Sequence, residues 1–333
     1  MDSTMAIVLR ETGGCGQLRC ERVPLAPPEP GELRIRQSVI GVNFHDCYVR
    51  SGLYRTLELP GIPGIDAVGV VEAVGEGVAG FAAGDRIACI DQRYGAYAER
   101  RNLPSSLAIR LPDAIGDEAA AGILLRGLTV SMLIHEVIRV QPSDVVLVHA
   151  AAGGVGQLLT QWCKHVGATV IGTVGSEAKA AIARANGADH VVPYRQQDFV
   201  QAVSDFTRGR GVDVAYDSVG KDTFAGSLQC LALRGRLVNF GQSSGPVEPL
   251  AMSTLAAKSL AVARPILFHF LRDPAIAQRM TRRLFDAHGA GVVRESIGLR
   301  FPLEEAARAH AALESRTTTG AVVLTTAAAS RPR

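Results

Sequence analysis

A chain of 333 residues exceeds what one hydrophobic core usually serves, so about two domains are expected. A hydrophobic fraction of 47% and a charged fraction of 20% are ordinary for a globular enzyme, and a net charge of +3 is too small to imply a nucleic-acid or acidic-membrane partner. Met1 to Arg10 is too short and too mixed for a signal peptide, and no uninterrupted apolar run reaches about 18 residues, so a cytoplasmic protein that spans no membrane is expected. The six cysteines (Cys15, Cys20, Cys47, Cys89, Cys163, Cys230) are scattered and form no C-x-x-C pair, which reads as reduced thiols rather than a disulfide or zinc framework.

Up to about Gly116 the chain reads as β. Short apolar runs such as "AIVL", "ELRIRQSVI", "AVGVVEAV" and "RIACI" are separated by turns rich in Pro, Gly and Asp. "PLAPPEPGE" (Pro24 to Glu32) reads as a loop, because its four prolines donate no ladder hydrogen bonds. The pattern predicts a compact, barrel-like antiparallel domain. From about Asp117 the texture changes. "DEAAAGILLRGLTVSMLIHEVI" has helical spacing, and then strands alternate with helices starting near Gly154, Glu177, Gln196 and Thr223. The strands "DVVLVHA", "ATVIGTV", "DHVVPY", "VDVAYDSV", "GRLVNFG" and "SLAVARP" are nearly continuous apolar runs, as strands buried on both faces are. This alternation predicts an α/β doubly wound parallel sheet. After about Pro265 a helical stretch, a second helix ("LEEAARAHAALES") and a final strand ("GAVVLTT") return to complete the β-rich domain.

The segment from Val145 to Ser176 holds the decisive motif. Ala151-x-Gly153-x-x-Gly156 stands directly after a strand and opens a helix, where a Rossmann fingerprint belongs. Ala151 takes the place of the first glycine of the turn, Gly153 lets the backbone approach a pyrophosphate, and Gly156 lets helix and strand pack closely. The N–H groups of the helix N-terminus, on Gly154 and Val155 among others, would face the anion together with Ala152. An NAD-preferring site usually carries Asp or Glu at the end of the second strand. Thr173, Val174, Gly175 and Ser176 stand there instead, with Lys179 one turn into the next helix and Tyr194-Arg195 closing the third strand. These residues form a candidate cradle for a 2′-phosphate, and NADPH is favoured over NADH. Glu177 dissents but lies past the strand end. His149 precedes the loop inside a buried strand and reads as a packed residue rather than a base.

"VIGVNFHDCYVRSGLY" (Val39 to Tyr54) sets His45, Asp46 and Cys47 side by side. Neighbouring helix positions do not face each other, so the three do not converge on one ion; the trio reads as polar and packing residues of a helix. The chain resembles the medium-chain dehydrogenase/reductase superfamily. The zinc alcohol dehydrogenases of that superfamily carry G-x-C-x-x-D and G-H-E stretches at their catalytic zinc. Here the matching stretches are Gly41 to Asp46 with Asn43 at the Cys position, and Gly64-Ile65-Asp66 with Ile65 at the His position; the four-cysteine structural lobe is absent. With two ligands lost, no metal is expected.

The resemblance narrows to the zinc-free quinone oxidoreductase branch, over essentially the whole chain. It rests on Asn43, Tyr48 and Arg50 to Tyr54, on "GLTV" (Gly127 to Val130), "HAAAGGVGQ" (His149 to Gln157), "YDSVGKDTF" (Tyr216 to Phe224), "NFGQSSG" (Asn239 to Gly245), "ARP" (Ala263 to Pro265) and "ESRTTTGAVVL" (Glu314 to Leu324), in that order. Arg126 stands at a position often Lys, Cys47 at one often Thr, and Ile266 to Phe270 differ. The resemblance implies a β-rich GroES-like catalytic domain (1–124 and 266–333) with an inserted Rossmann NADPH-binding domain (125–265). It implies that Asn43, Tyr48 and Tyr54 line the substrate pocket over the nicotinamide, and that Thr129, Ser218, Phe240, Gly241, Ser243, Arg264 and Arg316 contact the cofactor together with Asn43. Asp217 and Ser218 also read as caps of the next helix. The implied chemistry is zinc-independent hydride transfer from NADPH to a quinone, with no secure general acid among the residues. Three rivals remain: an NADPH-dependent reductase of activated alkenes (enones, enoyl thioesters or 2-haloacrylates), a protein that binds NADPH without turnover, and, more distantly, a zinc alcohol dehydrogenase. A homodimer through the edge supplied by "VEPLAMSTLAAKSLAVA" is expected from the resemblance.

Overall fold

The computed structural model describes residues 2–329. In chain order it contains β1 (Ser3–Leu9), β2 (Leu18–Pro24), β3 (Glu32–Val42), α1 (Phe44–Ser51), β4 (Asp66–Val74), β5 (Arg86–Ile90), β6 (Arg100–Pro104), β7 (Ala108–Arg110) and α2 (Asp117–Ser131). There follow β8 (Val145–Val148), α3 (Gly154–Val166), β9 (Thr169–Val174), α4 (Glu177–Ala185), β10 (His190–Pro193), α5 (Phe199–Phe206), β11 (Val212–Asp217), α6 (Phe224–Cys230), β12 (Leu231–Asn239) and α7 (Ser253–Ala256). The chain closes with β13 (Ala261–Ala263), α8 (Leu267–Leu271), α9 (Pro274–Gly289), β14 (Ile297–Pro302), α10 (Ala306–Glu314) and β15 (Ala321–Thr325). It divides into two compact units, 1–125 with 295–333, and 126–294.

The first unit is built on a seven-stranded sheet in the order β14-β15-β3-β4-β5-β7, with β6 also paired to β3, beside a two-stranded ribbon of β1 and β2. Its pairings are antiparallel except β14 with β15, which run parallel. β14 is a strand that the sequence pattern does not mark, and β2, β6 and β7 are likewise not among the named apolar runs. Three of the six β14 residues in a row are exposed, so β14 lacks the alternation that marks a half-buried strand. Leu33, Ile35, Ile40 and Val42 of β3 are almost fully buried with Ile7, Ile87, Leu103, Tyr97, Val322 and Leu324. Each large apolar side chain so buried contributes about 1.5–3 kcal/mol. α1 is tied to α10: Arg50, 2% exposed, pairs with Glu314, and Cys47 Sγ lies 3.6 Å from His310 Nδ1.

The second unit holds a six-stranded parallel sheet in the order β10-β9-β8-β11-β12-β13. Numbered within the unit, that is 3-2-1-4-5-6, the doubly wound order, whose crevice opens at the carboxyl ends of the strands. Leu147, Ile171, Val192, Ala215 and Leu237 form its buried centre. α3 begins at Gly154 and α4 at Glu177, as the sequence pattern predicts; α5 starts at Phe199 because Asp198 caps it, its side chain accepting the Val200 N–H.

The return to the first unit comes at residue 295, not at 266 as the sequence reading placed it. α9 belongs to the second unit. Asp273 caps it with Pro274 in its first turn, and Met280 and Leu284 are fully buried. A Cβ on Gly127 would lie 2.3 Å from Leu284 Cδ1, and Arg279 and Arg283 both pair with Glu136, at 2.9 and 2.6 Å. The sequence signal for a helix gave no hint of which core it would cover. α2 continues into a π-helical turn, and Asp117–Val137 has the length and mean hydropathy (1.4) of a membrane span, yet 72% of its apolar window is buried inside the protein. It reads as a core helix.

Candidate active site

In the first unit, β3 delivers Asn43 in an extended conformation (φ −128°, ψ 156°) to cap α1. Asp46 Oδ2 accepts the Asn43 backbone N–H at 2.8 Å, and the Asn43 side chain faces the Asp46 N–H, which completes a capping box. Asn43 Nδ2 donates to Asp66 Oδ1 at 2.7 Å. Asn43 is 9% exposed; Asp46 and Asp66 are wholly buried. A Cβ on Gly41 would lie 2.2 Å from Asp66 Oδ2, so only glycine leaves room for this carboxylate.

His45, Asp46 and Cys47 diverge, as adjacent helical residues do. His45 Nε2 lies 3.1 Å from the Tyr94 hydroxyl, while the Tyr97 hydroxyl donates to Asp46 Oδ2 at 3.2 Å. The Tyr97 oxygen also lies 2.9 Å from His310 Nε2. Having given its proton to the carboxylate, the phenol accepts from Nε2–H, which leaves Nδ1 to accept the Cys47 thiol proton. The surroundings support neutral partners. Burial, and then the Arg50 charge, push His310 down to about 3, and burial and then Asp46 push the Cys47 thiol up.

The rings of Tyr48 and Tyr54 meet edge-on at 5.1 Å, His45 meets Tyr54 at 5.5 Å, and His45 stacks on Tyr94 at 5.9 Å. Tyr94 was not singled out in the sequence. Its backbone is left-handed (φ 72°), a conformation that costs about 1–3 kcal/mol in a residue other than glycine. That turn places the phenol between His45 and the Thr56 hydroxyl. Burial pushes His45 down to about 4, so it is neutral near pH 7. Arg316 lies exposed beyond α10, with φ 57°.

In the second unit, Gly153 caps α3 without a side-chain hydrogen bond, and no acidic residue stands in the first turn. The N–H groups of that turn head a helix dipole suited to an anion. A Cβ on Gly156 would lie 2.2 Å from the Ala150 carbonyl oxygen, so glycine is required for α3 to approach β8 this closely. The left-handed residue of the turn is Ala150 (φ 52°), not Ala151, where the sequence reading had put the glycine-like position. Ala151 instead donates its N–H to Thr173 O at 3.0 Å.

At the end of β9, Ser176 caps α4 by accepting the Lys179 N–H at 3.4 Å. A Cβ on Gly175 would lie 3.2 Å from the Tyr194 hydroxyl and 3.8 Å from Arg195 Nε, which places both side chains beside Gly175. Burial, and then the Arg195 charge, lower the Lys179 pKa, a repulsion that an anion would relieve. Glu177 lies 3.9 Å from Arg184, its partner along α4.

His149 has both ring nitrogens engaged, with Thr173 Oγ1 at 2.9 Å and Ser227 Oγ at 2.8 Å. Ser227 gives its proton to Thr223 O, so His149 carries its own on Nε2 and is a satisfied core residue. Asp217 Oδ1 accepts from the N–H groups of Val219 and Gly220 and from Thr223 Oγ1, shaping the loop that carries Ser218. Gly241 and Ser243 pack on Ser218, Phe240 donates its N–H to Asp217 O, and Arg264 donates to the carbonyls of Asn239 and Gly241. Thr129 sits half-buried on α2. The structure thus brings Tyr48 and Tyr54 together on and beside the helix that Asn43 caps, and in the other unit sets the phosphate-loop, β9–β10 and β11–β12 residues at strand ends.

Residues 154–298 match the family model described as zinc-binding dehydrogenase, and residues 29–113 match the alcohol dehydrogenase GroES-like domain. A 2-haloacrylate reductase from Burkholderia sp. is 42% identical over 327 residues, covering 96% of this chain and 98% of that protein. A quinone oxidoreductase from Pseudomonas aeruginosa is 44% identical over 300 residues, covering 90% and 92%. The crystal structure of Escherichia coli quinone oxidoreductase complexed with NADPH superimposes with a TM-score of 0.93 at 40% identity, covering 96% of this chain and 99% of that one. The chain belongs to the quinone oxidoreductase branch of the medium-chain dehydrogenase/reductase superfamily.

Zinc, which the first family description names, does not fit the residues present. Asn43 is committed to Asp66, Ile65 offers no donor atom, and His45, Asp46 and Cys47 face three different neighbours. Among the described residues no three His, Cys, Asp or Glu side chains converge as a metal-binding group.

His45 and His310, at about 4 and about 3, lie below the ordinary value of 6.5. The unfolded chain then binds protons that the native state refuses. Stability is full above pH 6.5 and declines as the pH falls through this window. Urea midpoints are expected to drop on acidification from pH 6.5 to 4, and His310→Gln to shallow that slope; an unchanged slope would exclude His310 from the linkage.

Proposed function

We propose that the protein is an NADPH-dependent quinone oxidoreductase that works without a metal. The observation that carries this reading is the end of β9, where Tyr194 and Arg195 lie beside Gly175 and Lys179 feels the Arg195 charge, while Glu177 pairs with Arg184. A strand end with basic groups and no facing carboxylate suits a 2′-phosphate. The relatives named for quinone reduction, and the similar structure complexed with NADPH, support the same reading.

When bound, NADPH supplies a hydride, which with one proton converts a quinone to a hydroquinone. The residues of the chain orient the reactants. Ala152, Gly153, Gly154, Val155 and Gly156 would hold the pyrophosphate at the α3 N-terminus, and Gly175, Ser176, Lys179 and Tyr194 would hold the 2′-phosphate. Ser218, Phe240, Gly241 and Ser243 line the strand-end loops that Asp217 and Arg264 brace, and Thr129 in this second unit and Arg316 in the first would each serve as a cofactor contact. Asn43, Tyr48 and Tyr54 form the acceptor pocket. A quinone accepts hydride without a Lewis acid, which agrees with a site whose residues do not form a zinc sphere.

A second reading, reduction of activated alkenes, is favoured by the 42% identity to a 2-haloacrylate reductase over nearly the whole chain. Anaerobic NADPH oxidation with 1,4-benzoquinone, a short enone and a 2-haloacrylate separates the two. Faster turnover of the quinone, undiminished by a chelator, is expected; turnover of the alkenes alone would move the assignment to alkene reduction. Lys179→Ala is expected to weaken NADPH binding about 10–100-fold with little effect on NADH, since only NADPH offers the 2′-phosphate. Equal losses, measured by fluorescence titration, would discard the cradle.

We further propose a cytoplasmic homodimer. The six free thiols suit a reducing compartment. β13 is an edge strand of the six-stranded sheet, with Val262 36% and nearby Met252 77% exposed, and an unpaired edge is a template for a second copy. Sedimentation equilibrium is expected to report a dimer that Val262→Asp converts to monomer; a monomeric wild type at micromolar concentration would refute this.

A further inference from the structure

We infer that Asp66 is a positioning residue: its buried carboxylate locks the Asn43 amide so that the side chain presents an N–H donor to a ligand carbonyl oxygen. An asparagine offers two N–H groups and one carbonyl oxygen, and its amide is free to be turned either way until its partners decide. Here they decide. Asp66 Oδ1 is 2.7 Å from Asn43 Nδ2, and a carboxylate can only accept. The flipped amide would set a carbonyl oxygen against a buried carboxylate oxygen at that distance. The amide oxygen is turned to the start of α1, in the capping box with Asp46. The backbone N–H of Asn43 is taken by Asp46 Oδ2 at 2.8 Å. One amide N–H is left for a ligand.

The device is built from the sequence outward. Gly41 has no Cβ where Asp66 Oδ2 lies, 2.2 Å from the position such an atom would take. Gly41 of β3 pairs with Val323 of β15 and Asp66 opens β4, so the carboxylate is held by the sheet rather than by a loop. Both Asp46 and Asp66 are wholly buried, and Asn43, at 9% exposure, is the group of the three that opens toward solvent. A carbonyl oxygen gains negative charge as a conjugated acceptor takes a hydride, and a preset N–H donor stabilises that charge without reorganising. This inference rests on the reading of Asn43 as part of the acceptor pocket. The carbonyl that shares this chemistry belongs either to the acceptor or to the carboxamide of the nicotinamide.

The test exchanges the pair. In the double variant Asn43→Asp with Asp66→Asn the hydrogen bond re-forms with reversed polarity, and aspartate caps a helix as well as asparagine does. The melting temperature is expected to return near that of the wild type, while the ligand now meets an oxygen. An approximately 100-fold loss, the scale set by removing one preset donor, is expected. It falls on kcat/KM for 1,4-benzoquinone if the acceptor carbonyl is held, and on the NADPH Kd if the carboxamide is held. A purely structural pair would recover activity with stability, so a wild-type rate and Kd in the exchange variant would overturn the inference. Asp66→Asn alone keeps shape and loses only the fixed polarity; a loss of about tenfold or more is expected, and full activity would also overturn it. The wild type, run in parallel, separates the two levels. If it fails to oxidise NADPH with any acceptor, the proposed function fails and this inference with it; if it turns over and the exchange variant matches it, only the positioning role fails.

Discussion

The close approach of α3 to β8 is the constraint on which the dinucleotide unit depends. A Cβ at Gly156 would enter the Ala150 carbonyl at 2.2 Å, and Gly172 likewise leaves no room beside the Ala151 side chain, where a Cβ would sit at 2.8 Å. With those atoms absent, the first strand of the sheet runs directly into a helix N-terminus. The N–H groups of that first turn then face the carboxyl ends of the strands, where the sheet order reverses direction. The cost of the tight turn is carried by Ala150, held left-handed at φ 52°. The loops after β9, β10, β11 and β12 inherit their placement from this junction, because parallel strands in one sheet end together.

The first unit solves a different problem. It buries two carboxylates, Asp46 and Asp66, beside a single asparagine, and a buried charge persists only when hydrogen bonds replace its lost water. Asn43 and Tyr97 supply those bonds to Asp46, and Asn43 supplies one to Asp66. His310 then joins the phenol of Tyr97 to the thiol of Cys47, so α1 is fixed by α10 across a chain of polar contacts. Beside this network stand the rings of Tyr48, Tyr54, His45 and Tyr94, and burial keeps His45 neutral near pH 7 and raises the Tyr94 phenol.

Part of this is legible in the sequence. The alternation of apolar strands and amphipathic helices from residue 117 onward reports the parallel sheet, since strands buried on both faces leave continuous apolar runs. Gly153 and Gly156 report the tight turn into α3, because the room they leave is a local requirement. Other features carried no local signal. β14 shows no alternation; α9 is helical in its own right but its core is chosen by Leu284 meeting Gly127; and nothing in "DQRYGAY" announces that Tyr94 is left-handed.

The sequence by itself determined the alternation of strands and helices in the second unit and the glycine turn that opens α3, both of which rest on neighbours within a few residues of one another. Tertiary structure alone decided the polar pairings. Asn43 finds Asp66 twenty-three residues on, Tyr97 finds His310 at a separation of 213, and Cys47 finds the same histidine at 263. Such pairs obey no periodicity. They form because the sheet and α10 bury these groups together, and a buried polar atom must take whichever partner the fold sets beside it.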